Sequence, residues 1–238
     1  SWCGERDFIQ VIASRTTVDY QESDNQFTQQ FLMGTRLPLR GQCAHQYIVQ
    51  LPRRDKKGKL VPMMISLPDD ERFQEGFLPF QEGRIAEQAM KTLGEPYGWG
   101  GERTYRDCTS LIDDIFGTFS FVLARNSRDQ RAMKGVKKID AQWDKCKREK
   151  LIKKLPRGTV LYMPGHAMLY LGVRDGNLRI LHSVYQIGIP MWSDMVTYKA
   201  KRVMLGHLYQ YRANGKTFLE SLSDYWCPWA QDNLNCPE

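Results

Sequence analysis

The sequence holds no apolar run of transmembrane length, which excludes a spanning helix of about 20 residues. No secretory leader is visible, but the chain opens at Ser1 without an initiator Met, so that absence decides nothing. None of the six cysteines, Cys3, Cys43, Cys108, Cys146, Cys227 and Cys236, stands in a CxxC pair. Zinc ribbons and dithiol redox motifs need that short spacing and are therefore not expected. There is no zinc finger and no RNA-binding aromatic signature, which argues against a nucleic-acid partner. Repeats and low-complexity segments are absent. Histidine is scarce: only His45, His166, His182 and His207 occur.

What is present is an ordinary globular composition, 238 residues with 42% hydrophobic and 26% charged. That is enough for one large domain or two modest ones, with a core that needs no metal or disulfide staple. The net charge of +7 and pI of about 9.1 favour an anionic partner, such as an acidic membrane surface or a bacterial cell wall. The densest basic run, Lys145 to Lys154, reads as a solvated helix face. Cys227 and Cys236 flank a short loop and are placed to bridge in an oxidising compartment. Oligomeric state is not encoded in any recognisable pattern.

Composition changes near residues 78 to 84. Before it, short strand-like stretches alternate with polar turns: Asp7 to Val18, Phe27 to Leu39, Gln46 to Pro52 and Leu60 to Leu67, with the charged tip Arg53 to Gly58 between the last two. This pattern predicts a small antiparallel barrel over residues 1–80. Residues 81–238 open with a predicted helix, Gly83 to Leu93, whose Ile85, Ala86, Ala89, Met90 and Leu93 share a face. A loop rich in Gly and aromatics, residues 94–101, leads to a second helix starting at Cys108, with Asp107 as its N-cap. Four strands are predicted to finish the domain: Gly158 to Pro164, His166 to Val173, Leu178 to Val184 and Val203 to Tyr211.

A thiol attacks as thiolate, and the N-terminus of a helix favours an anion. Cys108 in a first helical turn is thus a candidate nucleophile, the alternative being a small buried hydrophobe. His166, after the turn Pro164-Gly165, is a candidate base. His182 on the next strand is a candidate to accept the Nδ1–H of the first ring and fix its tautomer. His45 and His207 lack such a setting and read as structural or surface residues.

The segments PYGWGG, RDCTS, LARNSRDQ, PGHAMLYLG and LRILHS, in this order, resemble the NlpC family of bacterial cell-wall cysteine peptidases. The resemblance covers roughly residues 83 to 211, and the N-terminal part is similar to the bacterial SH3-like barrel that often precedes such domains. It implies an α+β fold: a papain-like (NlpC-type) catalytic domain over 81–238 behind an SH3-like barrel. It implies a peptidoglycan or muropeptide substrate, hydrolysis of the γ-D-glutamyl–diamino acid bond of stem peptides, a periplasmic or secreted location, and no metal or cofactor. Carried over by position, Cys108 matches the nucleophile, His166 the base and His182 the orienting residue. Tyr97 matches a tyrosine beside the reacting carbonyl, and Asp107 and Ser127 match residues that bind a substrate amine. Read without the resemblance, Tyr97 and Trp99 are equally core aromatics, Asp107 a cap and Ser127 a turn residue. Thr109-Ser110 replaces the usual Ser-Gly and Leu123-Ala124-Arg125 the usual Leu-Pro-Arg, which bears on fine preference. An amidase or acyl transferase on another wall bond, or a non-catalytic wall-binding module, are the alternatives.

Strand parity adds a geometric expectation. His166 and His182 can meet only from one face of the sheet. A two-residue Asp175-Gly176 turn with regular pairing places Leu169 opposite His182 and separates the rings. A three-residue loop, Arg174-Asp175-Gly176, places Met168 opposite His182 and brings them together, with Gly176 at positive φ. The sequence reading therefore expects the three-residue loop.

Overall fold

The computed structural model describes residues 7–22, 25–192 and 194–229. The chain divides into two compact units, one of Ser1–Phe80 with Gly117–Phe121 and one of Gln81–Phe116 with Val122–Glu238.

The first unit is all strand: β1 (Phe8–Val11), β2 (Arg15–Glu22), β3 (Asn25–Leu32), β4 (Arg36–Cys43), β5 (Gln46–Arg54), β6 (Leu60–Pro68) and β7 (Phe73–Glu75). Five of them form an antiparallel sheet in the order β6-β5-β4-β1-β7, and β2 and β3 form a separate ribbon. The alternation in β5 buries Tyr47, Val49 and Leu51 against Ile9, Val11, Ile65 and Leu67 in one apolar cluster. Two of the four strand-like stretches each span parts of two strands. Asp7 to Val18 is β1 plus β2, and the turn at Met33-Gly34 separates β3 from β4.

The second unit carries α1 (Glu82–Lys91), α2 (Cys108–Gly117), α3 (Ser127–Gln130), β8 (Val136–Lys138), α4 (Lys145–Lys154), β9 (Val160–Met163), β10 (His166–Arg174), β11 (Asn177–Val184), β12 (Ile187–Met191), β13 (Asp194–Tyr198), β14 (Arg202–His207), α5 (Phe218–Ser221) and β15 (Asp224–Trp226). Its six-stranded sheet runs β14-β11-β10-β9-β15-β8, every pair antiparallel. Met168, Tyr170, Leu178 and Ile180 from one face of it pack with Ile152 of α4 and Leu219 of α5. In α1 only Ile85, Gln88 and Ala89 are buried. Met90 and Leu93, expected on the inner face, are exposed: the buried stripe is Ile85, Gln88 and Ala89, and Leu93 lies beyond the helix end at Lys91. The ribbon β12–β13 was not anticipated: Gly188 and Pro190 interrupt its alternation, and most of its large apolar side chains face solvent. No helix among the described residues is long and apolar enough to cross a membrane. Cys227 is disulfide-bonded; its expected partner Cys236 lies outside the described residues.

The hairpin β10–β11 corrects the loop expectation while keeping its consequence. Arg174 pairs with Asn177, so the turn has two residues, Asp175 (φ 51°) and Gly176 (φ 72°). Positive φ at both central positions is the primed-turn conformation that matches strand twist. The register then shifts between Tyr170 and Gly172, leaving Leu171 as an extra residue. Beyond this bulge Leu169 pairs with Leu181, which puts Met168 opposite His182. One inserted residue restores the parity that the short turn would have broken.

Gly172 sits at φ 92°, and a Cβ there would lie 2.9 Å from Arg157 Nε. Gly172→Ala is expected to destabilise the protein by about 1–2 kcal/mol, since a left-handed backbone costs L-residues that much. At Gly176 nothing lies within 4 Å of a built Cβ, and Asn tolerates the left-handed region. Gly176→Asn should therefore shift the thermal midpoint much less than Gly172→Ala; equal shifts would contradict a register set at the bulge.

Candidate active site

Cys108 is the first residue of α2, buried to 9% exposure. Asp107 starts that helix: its Oδ1 accepts the N–H of Ser110 (2.8 Å) and of Thr109 (3.1 Å). The helix is anchored by Leu111, Ile112, Ile115 and Phe116, all fully buried. Its start is therefore held by packing on one side and by the cap on the other.

His166 opens β10 directly after Pro164-Gly165, and His182 lies inside β11. Nε2 of His166 is 3.0 Å from Nδ1 of His182. The expected ring contact exists, but through Nε2 of His166 rather than Nδ1. Phe218 of α5 packs on both imidazoles, at centroid distances of 6.0 and 5.2 Å. His182 is fully buried, and its Nε2 has no hydrogen-bond partner among the described residues. A Cβ at Gly206 would lie 3.4 Å from that nitrogen and 2.2 Å from Gln210 Oε1, so a larger residue there would have to displace the Gln210 side chain.

The two rings share one proton between Nε2 and Nδ1. If His166 donates, its Nδ1 keeps a free lone pair and His182 carries its own proton on Nε2. That is the tautomer in which His166 can act as a base.

Cys108 lies where two hollows meet. One is lined by Cys108, His166, Tyr185, Gln186, Arg212 and Phe218 among others. The second is lined by Asp107, Cys108, Thr109, Arg125 and Ser127. Tyr97, Trp99 and Gly165 border both. All six residues predicted from sequence thus lie at or directly behind one cleft. Trp99, 79% exposed, is not a core aromatic. His45 is exposed, and His207 lines neither hollow.

The electrostatics differ from the expectation of a helix-lowered thiol. Burial pushes the Cys108 thiol up to about 11, outweighing the backbone N–H groups of Ala167, Cys108 and Thr109 that favour the thiolate. Burial, with a smaller push from the Arg212 charge, takes His166 down to about 4. His182 is lowered too, by burial and then by His166. Two unit charges 4 Å apart regain about 4 kcal/mol, or roughly three pKa units, at an effective dielectric of 20. That is too little to close the gap, so the resting pair is neutral thiol and neutral imidazole. Burial also raises Tyr97 to about 12, with help from Cys108 and Asp107, so its hydroxyl remains a donor.

Asp107 is more engaged than its sequence role implied. Besides the cap, Oδ2 accepts from Arg125 Nη2 at 2.7 Å, and Arg125 Nη1 reaches Thr109 Oγ1 at 3.0 Å. Burial pushes Asp107 up, but Arg125 and the Ser110 N–H more than offset it and the carboxylate lies below its ordinary range. An incoming amine would share an oxygen already paired with a cation.

Arg106 is the residue whose weight the sequence did not reveal. It is 1% exposed and pairs with Glu95 of the Tyr97 loop and, at 2.7 Å, with Asp114 of α2. Its carbonyl accepts Ser183 Oγ of β11 at 2.7 Å. One buried residue, through its side chain and its backbone carbonyl, therefore ties together the elements carrying Tyr97, Cys108 and His182. Only its place before Asp107-Cys108 hinted at this.

Residues 94–208 match the NlpC/P60 family profile. No curated protein sequence matches the chain. Among solved structures, the fold is similar to an NlpC/P60 endopeptidase from Photobacterium damselae subsp. piscicida, with a TM-score of 0.76 and 16% identity over 94% of this chain. It is also similar to an NlpC/P60 family protein from Bacillus cereus, with a TM-score of 0.63 and 16% identity over 94% of this chain. The chain spans 53% and 64% of those two chains, respectively. Residues 94–208 of this protein are an NlpC/P60 family domain.

Proposed function

We propose that this protein is a cysteine peptidase of the bacterial cell envelope that hydrolyses peptidoglycan stem peptides. The bond we assign is that between γ-D-glutamate and a diamino acid, most simply meso-diaminopimelate. The observation that carries the reading is a cysteine at a helix start opening onto the same hollow as a histidine whose far nitrogen is held by a second histidine. Members of the NlpC/P60 family are cysteine-type peptidases and hydrolases, which supports it. A disulfide at Cys227 fits an oxidising compartment outside the cytoplasm. The all-strand N-terminal unit is assigned as the SH3-like barrel of such enzymes.

In this mechanism substrate enters with the resting pair neutral. As Cys108 Sγ bonds to the scissile carbonyl carbon, its proton passes to His166 Nδ1. His166 Nε2–H donates to His182 Nδ1 and holds the ring in place as it becomes cationic. The carbonyl oxygen, now negative, is met by the backbone N–H of Cys108 and the Tyr97 hydroxyl. When the C–N bond breaks, His166 returns the proton to the leaving nitrogen, and a thioester remains on Cys108. Water then attacks the thioester, giving its proton to His166, and the thiol is regenerated. Tyr97, Asp107 and Ser127 are assigned to the acyl side, where Asp107 with Arg125 presents paired charges to an amino-terminal stem residue.

Cys108→Ala is expected to abolish hydrolysis of L-Ala-γ-D-Glu-meso-diaminopimelate, by about 10³-fold or more, with a thermal midpoint within about 2–4 °C of the parent. Residual turnover of more than a few per cent by a folded variant removes Cys108 from the chemistry. Release of L-Ala alone, with the γ-glutamyl bond intact, would reassign the bond.

The pH profile follows from His166. Its neutral form accepts the proton, and its pKa is pushed down to about 4. Acidification below that value protonates the base, so kcat/KM should hold from about pH 7 to about pH 5 and fall only beneath it. An acid limb near the ordinary histidine value of about 6.5 contradicts the buried neutral pair. His182→Ala should lower kcat by roughly 10²–10³-fold, and His182→Asn, which retains an acceptor, should recover part of it.

A further inference from the structure

Among the groups lining the hollow on the His166 side, one permanent charge stands out. Arg212 is there, and no Asp or Glu joins it. Its guanidinium makes no hydrogen bond or ion pair with any described residue. The surrounding sequence supplies no acid to quench it: between Asp194 and Glu220 there is no Asp or Glu, but Lys199, Lys201, Arg202, Arg212 and Lys216. The other hollow differs in holding a carboxylate, Asp107, with Arg125 paired to it, and Arg128 at its edge.

The backbone at Arg212 is fixed in a turn. Arg212 N–H donates to Lys216 O at 2.8 Å and its carbonyl accepts from Gly215 N–H at 3.0 Å, closing a tight turn. Tyr211 bridges to Thr217 below the turn and to Gly188 of β12 at its side. A Cβ at Gly188 would lie 2.4 Å from Arg212 O, so ribbon and turn are in direct backbone contact. The turn then runs into α5 through the Thr217–Glu220 capping box. A free cation on a fixed turn, beside the reacting atoms and open to the cleft, is a place for an anion.

The direction of the chemistry says which part of the substrate meets it. The leaving nitrogen takes its proton from His166, so the hollow on the His166 side receives the amino acid that departs. We propose that Arg212 forms an anion subsite that binds a carboxylate of the leaving amino acid. The proposal rests on Cys108 and His166 being the hydrolytic pair. For a diamino acid with an acidic side chain, two carboxylates qualify, the one at its C-terminus and the one on its side chain.

One experiment is independent of the peptide assignment. Alkylation of Cys108 by anionic iodoacetate and by neutral iodoacetamide is followed by mass spectrometry of the Cys108 peptide, in the parent and in Arg212→Gln. Any change in thiol reactivity affects both reagents alike, so the ratio of the two rates isolates attraction to the anion. The ratio should fall on the order of fivefold to tenfold in the variant at low ionic strength, and less in salt. An unchanged ratio overturns the subsite.

The second experiment names the carboxylate. KM is measured for both proteins on L-Ala-γ-D-Glu peptides ending in meso-diaminopimelate, in its C-terminal amide, in lysine and in lysinamide. Arg212→Gln should raise KM about tenfold on the first. If the effect survives with lysine but not with the C-terminal amide, the terminal carboxylate is the ligand; the reverse pattern assigns the side-chain carboxylate. An equal effect on all four, lysinamide included, overturns the subsite. If none of the peptides is cleaved while the alkylation ratio responds, the stem-peptide reading fails and the anion subsite stands.

Discussion

The hydrogen bond between Nε2 of His166 and Nδ1 of His182 is the contact on which the rest of this cleft depends. It requires two side chains on neighbouring strands to face the same way, and strands decide facing by counting residues. The Asp175-Gly176 turn gives the wrong count, and the bulge at Leu171-Gly172 corrects it. A feature some five residues from His166 therefore decides whether the second ring reaches the first. Phe218 closes over both rings, and Gly206 leaves the space into which the far nitrogen of His182 points.

Burial is the second organising force, and it acts against ionisation. The start of α2 favours a thiolate, but desolvation of Cys108 is the larger effect, and desolvation of His166 opposes the matching cation. The consequence is a thiol and an imidazole that are both neutral at rest. Charges that are needed at rest are paired: Asp107 with Arg125, and Arg106 with Glu95 and Asp114. Burial pushes Asp114 up to about 6 despite the attraction of Arg106. Arg212 makes no ion pair with any described residue, and no Asp or Glu lines its hollow.

Much of this was legible in the sequence because it rests on local rules. Asp107 before an apolar stripe announces a helix start, and Pro164-Gly165 announces the turn that presents His166. The strands carrying both histidines are short apolar runs bounded by turn residues, and the order of the motifs resembles one family. The bulge had one local signal, Gly172 inside an apolar strand, but its effect on the register is visible only in the pairing. The β12–β13 ribbon was missed because Gly188 and Pro190 break its pattern. The weight of Arg106 and the pairing of Asp107 with Arg125 were hidden for a different reason: each joins positions distant in sequence, and a single chain gives no signal for such contacts. The raised thiol was misjudged because a helix terminus is visible in sequence and desolvation is not.

The central claim is that a neutral His166, protonated on Nε2 and held by His182, waits beside a neutral thiol. Long-range proton–nitrogen correlation spectra of the histidine-labelled protein at about pH 7 test it directly, since imidazole nitrogens with and without a proton are well separated. The account predicts His166 with a protonated Nε2 and a bare Nδ1, and His182 protonated on Nε2 alone. An imidazolium at His166, or a proton on its Nδ1 with Nε2 bare, would contradict it.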